Sequence, residues 1–238
     1  MTADRWTQAV RHQLGLGRLL PLGDARDGAW IAERAAEAVL RHAAGDAPGV
    51  RLDALRVALA DPADTGSPAV PAPPSGLPPG PLRVTAQFAA TASQPLPTTA
   101  SLLRATLATA ATQRLGLTVT EVDLRVTGLL DEETEPPGPA APLPEPPPAA
   151  QAGGDDEGRV AAAALKVPGV LRLTGALGHP VHIEELPGDA ALAHRHIRIE
   201  LAVREDHRAR DVARGVRTAV RTSLADHPTV AVLVSGIG

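Results

Sequence analysis

Four of the eight histidines fall within 18 residues, as His179-Pro-Val-His182 and His194-Arg-His196. Neutral imidazoles ligate zinc and other borderline metals. On a strand, His194 and His196 project from one face, and a neighbouring strand can bring His182 beside them. These three are the candidate metal ligands, and the stretch from His179 to His196 is the candidate small-ligand site. The competing reading is an exposed polar sheet face, since a loop separates the two pairs and no acidic partner for the imidazoles is evident. No metal is therefore assigned, and no cofactor is expected.

Arginines supply the second pattern. Arg210, Arg214, Arg217 and Arg221 recur at helical spacing and share about 60° of arc at 100° per residue. Four guanidiniums on one face can grip phosphates or an acidic partner. Glu205, Asp206 and Asp211 lie close by and moderate the field. No aromatic residues interleave the stripe for base stacking, so nucleic acid is not an expected partner. The ordinary alternative is a solvated helix face.

Other chemistry is excluded more simply. Cysteine is absent, which removes disulfides, thiolate zinc sites and a cysteine nucleophile. Gly15-Leu-Gly17-Arg-Leu-Leu20 begins like a dinucleotide fingerprint, but leucine stands at the third glycine position. No P-loop, nucleophile elbow or His-Glu-x-x-His occurs. Asp131-Glu132-Glu133 and Asp155-Asp156-Glu157 lack the glycine-pinned spacing of a calcium loop and read as solvated linker edges. None of these patterns is a catalytic signature, and the chain is expected not to be an enzyme.

The elements that must position these residues are aliphatic. One Phe, two Trp and no Tyr leave the core to Ala, Val, Leu and Ile. With 23 basic and 27 acidic residues the net charge is −4, so the chain offers no general polycation. Lys166 is the only lysine, and the Ala, Pro and Arg excess resembles a GC-rich coding bias. Near the start, Trp6, Val10 and Leu14 share a helix face, and Leu16, Leu19, Leu20 and Leu22 continue this apolar surface. Residues 1–27 read as an apolar arm, which either docks on a partner or a membrane surface, or frays or packs on its own domain. No apolar run is long enough to span a bilayer, and the chain reads as cytoplasmic.

Sixteen of the 24 prolines lie in two stretches, eight between Asp61 and Pro81 and eight from Pro136 to Pro148. Proline fixes φ and lacks a donor, so both read as disordered or extended spacers. The second divides the chain, and the two sides repeat one another. Pro48-Gly49-Val50 answers Pro168-Gly169-Val170 after an Ala-rich helix. The alternating strand 82–88 matches 197–203, and Leu103-Arg104-Ala-Thr-Leu107 aligns with Val216-Arg217-Thr-Ala-Val220. Each half closes on Val-[Thr/Ser]-Gly-[Leu/Ile], at 126–129 and 234–237. The expected fold class is α+β, as two tandem two-layer units: helix, two or three strands, helix, strand. The expected boundaries are 28–130, with an insertion at 61–81, a linker at 131–157, and 158–238.

This pattern resembles the alkaline-shock-protein family of Gram-positive bacteria. The helix leading to Pro-Gly-Val, the strand Ile197 to Val203, the helix Asp211 to Val220 and the closing Val-rich strand carry the resemblance. It is strongest over residues 157–238. The resemblance implies a non-enzymatic envelope stress response protein, a scaffold or adaptor acting through protein contacts at the inner membrane face. Its implied partners are a small membrane-anchored protein or other alkaline-shock-like proteins, with peripheral membrane association and self-assembly. The contact residues expected here are Trp6, Val10, Leu14, Leu19, Leu20, Arg210, Arg214, Arg217 and Arg221. The alternative function is a metal- or small-ligand-binding module built on the His179–His196 region.

Overall fold

The computed structural model describes residues 16–131, 155–186 and 194–238. These form four α-helices and nine strands in two sheets, an α+β fold. The order is β1 (Leu19–Pro21), β2 (Ala29–Ala32), α1 (Glu33–Gly45), β3 (Val50–Leu59), β4 (Leu82–Thr91), α2 (Leu96–Ala110) and β5 (Val119–Leu130). After residue 154 come α3 (Asp155–Leu165), β6 (Val170–Leu173), β7 (Val181–Leu186), β8 (His194–Val203), α4 (Ala209–Ser223) and β9 (Thr229–Ile237).

The first sheet has three strands in the order β3-β4-β5. β3 lies antiparallel to β4, and β5 returns parallel to it through α2, as a crossover helix requires. Leu82, Val84, Ala86, Phe88 and Ala90 alternate inward along β4 and are buried. Above them lie Ala35, Ala36 and Leu40 of α1 and Leu103 and Leu107 of α2. The opposite face is polar. Arg83 of β4 reaches Glu121 of β5 at 2.6 Å and Asp123 at 3.5 Å.

The second sheet repeats this order around β8. β9 is parallel to it through α4, while β6 and β7 lie antiparallel in line along its other edge. Ile197, Ile199, Leu201 and Val203 face Val160 of α3 and Val212, Val216 and Val220 of α4, all buried. Val212, Val216 and Val220 form a buried stripe along α4, with Ala219 half-buried at its margin. At Gly49 and Gly169, φ is +67° and +89°. Only glycine takes that conformation without strain, and each carbonyl accepts from the C-terminal end of a central strand, from Thr91 N–H or Arg204 N–H, at 2.9 Å.

Bulges also recur. Asp53, Thr120 and Thr127 are the extra residues of the first sheet, and Thr127 Oγ1 donates to Asp53 Oδ2 at 2.6 Å over the central strand. That hydroxyl and Arg51 hold the Asp53 carboxyl below the usual range. Leu171 and Ser235 are the extra residues of the second sheet.

Three features differ from the sequence expectation. Leu19 and Leu20 are not an outward contact surface: with Leu16 and Leu22 they are buried on their own domain, and both lie in β1. Together β1 and β2 extend the second sheet, in the order β1-β2-β9-β8-β6, although they precede α1 in the chain. Buried side chains from both halves accordingly form one continuous apolar cluster. The stretch 61–81, expected as a disordered insertion, is a placed strap. Its Ser75 carbonyl accepts from Leu19 N–H at 3.3 Å, and Leu77 N–H donates to Leu19 O at 2.9 Å. Leu77 O accepts Trp30 Nε1–H at 3.0 Å, and Val70 is buried. A proline-rich strap that supplies carbonyls closes a sheet edge well, because prolines offer no donors for further pairing. Finally, Asp155, Asp156 and Glu157 are the first turn of α3, where carboxylates meet the positive helix end.

Candidate functional site

The arginine stripe on α4 grips its own chain. Asp24, Arg26 and Asp27 form a tight turn between β1 and β2, with Asp24 N–H donating to Asp27 Oδ2 at 2.9 Å and Asp27 N–H to Asp24 O at 3.0 Å. The Asp27 carboxylate is 4% exposed and lies 2.8 Å from Arg210 Nη2 and 3.1 Å from Arg214 Nε. Arg210 Nη2 also reaches Asp24 Oδ2 at 3.1 Å. Arg217 Nη1 donates to the Arg26 carbonyl. Three of the four stripe residues therefore hold the turn that delivers β2, and Arg221 is exposed. The carboxylates that meet the stripe lie within the chain, 183 residues away in the case of Asp27 and Arg210.

The delivered strand fills the outer edge of β9. β2 runs parallel to β9, with Ala29 opposite Val232, Trp30 opposite Leu233 and Ile31 opposite Val234. Val232 N–H donates to Gly28 O at 3.0 Å. By alternation Val230 and Val234 face the same edge. Covered by β2, the side chains of Val230, Val232 and Val234 are 0–1% exposed.

The first sheet has the same edge without a cover. Counted back from the bulged Thr127 and Ser235, Val122, Leu124 and Val126 of β5 stand where Val230, Val232 and Val234 stand in β9. Among the described residues, no strand pairs with the outer edge of β5. Val122 and Leu124 are half-buried, while Val126 is 40% and Leu129 65% exposed. Arg104 is placed on α2 as Arg217 is on α4, each following a buried residue of the helix stripe, Leu103 or Val216. Where Arg217 takes the carbonyl of the incoming segment, Arg104 Nε donates to Val122 O of its own edge strand at 3.2 Å.

The histidine region forms a different cluster. His182 and Glu184 of β7 lie beside His196 and Arg198 of β8, since Glu184 pairs with His196 and His182 with Arg198. His196 Nδ1 is 2.8 Å from Thr229 Oγ1, and burial lowers its pKa, favouring the neutral ring. His182 Nε2 is 3.8 Å from Glu184 Oε2. Among the described residues no three His, Cys, Asp or Glu side chains come together as a metal would require. His182, His194 and His196 share the expected sheet face but do not form a ligand set.

Glu200 on the same face was not anticipated. It sits where β6 has ended and β7 has not begun, and the loop between them turns its amides inward. Leu177 N–H donates to Glu200 Oε2 at 3.0 Å. The residue is fully buried, and burial pushes its carboxyl up to about 7. Arg198 Nε lies 3.8 Å from Oε1 and makes no hydrogen bond. No spacing rule reveals this residue, because its burial depends on the gap between two strands.

Two clefts lie elsewhere. One of about 120 Å³ is lined by Ala38, Val39, His42, Arg114, Glu205 and His207. A wider groove of about 420 Å³ runs between α1 and α2, lined by small residues such as Ala43, Ala105 and Thr109. Of the other expected contact residues, Trp6, Val10 and Leu14 lie outside the described residues. No helix among the described residues is long and apolar enough to cross a membrane. The chain matches no known family model, and no curated protein matches it significantly.

Proposed function

We propose that the chain is a non-enzymatic scaffold or adaptor acting through protein–protein contacts. It is read as two diverged tandem copies of an alkaline-shock-like unit, the second completed by β1 and β2. The recurring helix–strand–strand–helix–strand order, the paired Pro-Gly turns and the matched bulges support the duplication. The family resemblance adds a place of action: the inner face of a membrane, reached by binding a small anchored protein or related scaffolds.

The observation that carries the binding reading is the apolar edge of β5, where Val126 and Leu129 are exposed while the matched Val234 is buried under β2. Leu102 on α2 adds a further outward apolar residue at 45% exposure. An apolar side chain in water forgoes about 25 cal/mol for each Å² that a partner would cover. Affinity purification of the intact chain from its own cells, with Leu129→Asp beside it, tests the reading. A partner retained by the unmodified chain and lost at least tenfold with Leu129→Asp supports it. Equal recovery of every co-purifying protein by both overturns it.

A further inference from the structure

Resting on the scaffold reading, we infer that the outer edge of β5 is a strand-docking site that takes an extended apolar segment of another protein, parallel to β5, with Arg104 switching to its carbonyl. The molecule contains the model for such a complex. On β9 the docked strand is Ala29-Trp-Ile-Ala32, it runs parallel, and the arginine of the overlying helix holds the carbonyl of Arg26, two residues before the first backbone bond at Gly28. β5 presents the same register of outward-facing residues, the same bulge beyond them and the same arginine, resting on Val122 O. Displacing one guanidinium from that carbonyl frees an acceptor and leaves Arg104 in place to hold the newcomer.

The chemistry of the ligand follows from what differs between the two edges. At the places of Arg210 and Arg214, α2 carries Pro97 and Ser101, so the acidic turn that precedes β2 has no counterpart requirement here. Glu121 and Asp123 lie on the face of β5 away from the helices, and Arg83 pairs with both. The segment that fits is therefore short, apolar and free of a required charge. It is recognised through its backbone and through alternate side chains laid against Val122, Leu124 and Val126. Ala29–Ala32 of a second copy does not supply it, because each copy has already laid that strand on its own β9. Two β5 edges meeting about a two-fold axis would also run antiparallel.

The test uses the full chain and a fluorescein-labelled peptide of sequence Gly-Ala-Trp-Ile-Ala-Glu-Arg, which is residues 28–34. A second peptide carries proline in place of isoleucine. Binding is read by anisotropy, and its place by amide hydrogen exchange. The expected result is saturable binding that slows exchange of Leu124 and Val126 at least tenfold. Binding should weaken at least tenfold with Val126→Asp and disappear with the proline peptide, which needs no change in the protein. Protection of Leu124 and Val126 before peptide is added would overturn the proposal, since the edge would already be covered. So would peptide binding that leaves those amides unchanged, as exchange with β2 on β9 would produce, or dimerisation by sedimentation that Val126→Asp abolishes without any peptide binding. Failure of the peptide with a co-purifying partner still lost in Leu129→Asp would sink strand docking and leave the scaffold reading standing.

Discussion

The outer edges of β9 and β5 have nearly the same residues and opposite fates. Val230, Val232 and Val234 are buried because β2 lies along them, and β2 lies there because Asp27 is clamped by Arg210 and Arg214. The edge series then continues through β1 to the strap and ends on prolines. β5 has the valines and leucines but no clamp, and its edge stays half-exposed. A difference of two side chains on the helix above, Arg210 and Arg214 against Pro97 and Ser101, goes with an edge built into the core in one sheet and an edge uncovered among the described residues in the other.

The largest test breaks the covered edge. Trp30 is buried on β2 and its indole N–H is bonded to Leu77 O. Trp30→Ala removes that volume and leaves a carbonyl unpaired, so it should cost about 3–5 kcal/mol in urea unfolding. A loss under about 1 kcal/mol would mean that the strand on β9 contributes little.

The next test makes the second sheet more like the first. Matched from the bulge, Gln87 of β4 stands where Glu200 stands on β8, so the expected alignment of 82–88 with 197–203 is shifted by two residues. The Glu200 carboxyl rises from the ordinary 4.5 to about 7 in the folded chain, so the folded state holds the proton more tightly than the unfolded one. Stability from this group is therefore greatest below pH 4.5, falls as pH rises towards 7, and stays low above. The fall amounts to about 3 kcal/mol. Glu200→Gln should remove it, leaving the variant more stable than the parent at pH 8 and similar at pH 4. An unfolding free energy with the same pH slope in both proteins would contradict this account of the carboxyl.

A smaller pair of changes sets the two edges against each other directly. Val234→Thr buries a hydroxyl under β2 and should cost about 1–3 kcal/mol. Val126→Thr makes the same substitution at the matched place on β5, where a surface change is worth about 0.5 kcal/mol or less. Equal costs, measured in the same denaturant series, would mean that the two edges are equally covered.

Much of this was legible before any coordinates. The Pro-Gly-Val turns, the alternating central strands and the closing Val-[Thr/Ser]-Gly pattern depend on local rules of backbone and periodicity, and the structure places a bulge at Thr127 and at Ser235. What lay beyond reach was long-range. Asp27 and Arg210 are 183 residues apart, and nothing in local spacing says that a turn near the start will close a sheet near the end. The strap misled because proline content predicts an absence of donors, and a strap that mainly offers carbonyls needs few. Leu19 and Leu20 read as a contact surface because their partners, Ile31 and Ala32 on β2, belong to a strand too short to show a period. Arg104 was visible as the aligned mate of Arg217, yet only the geometry gives the two different tasks.

The central claim is that one edge is filled and its twin is open, and amide hydrogen exchange resolved by residue measures it directly. Val232 and Val234 should exchange only through global unfolding, whereas Leu124 and Val126 should exchange at least about a hundredfold faster through local opening at a solvated edge. Equal protection of the two sets in the isolated chain would contradict the account.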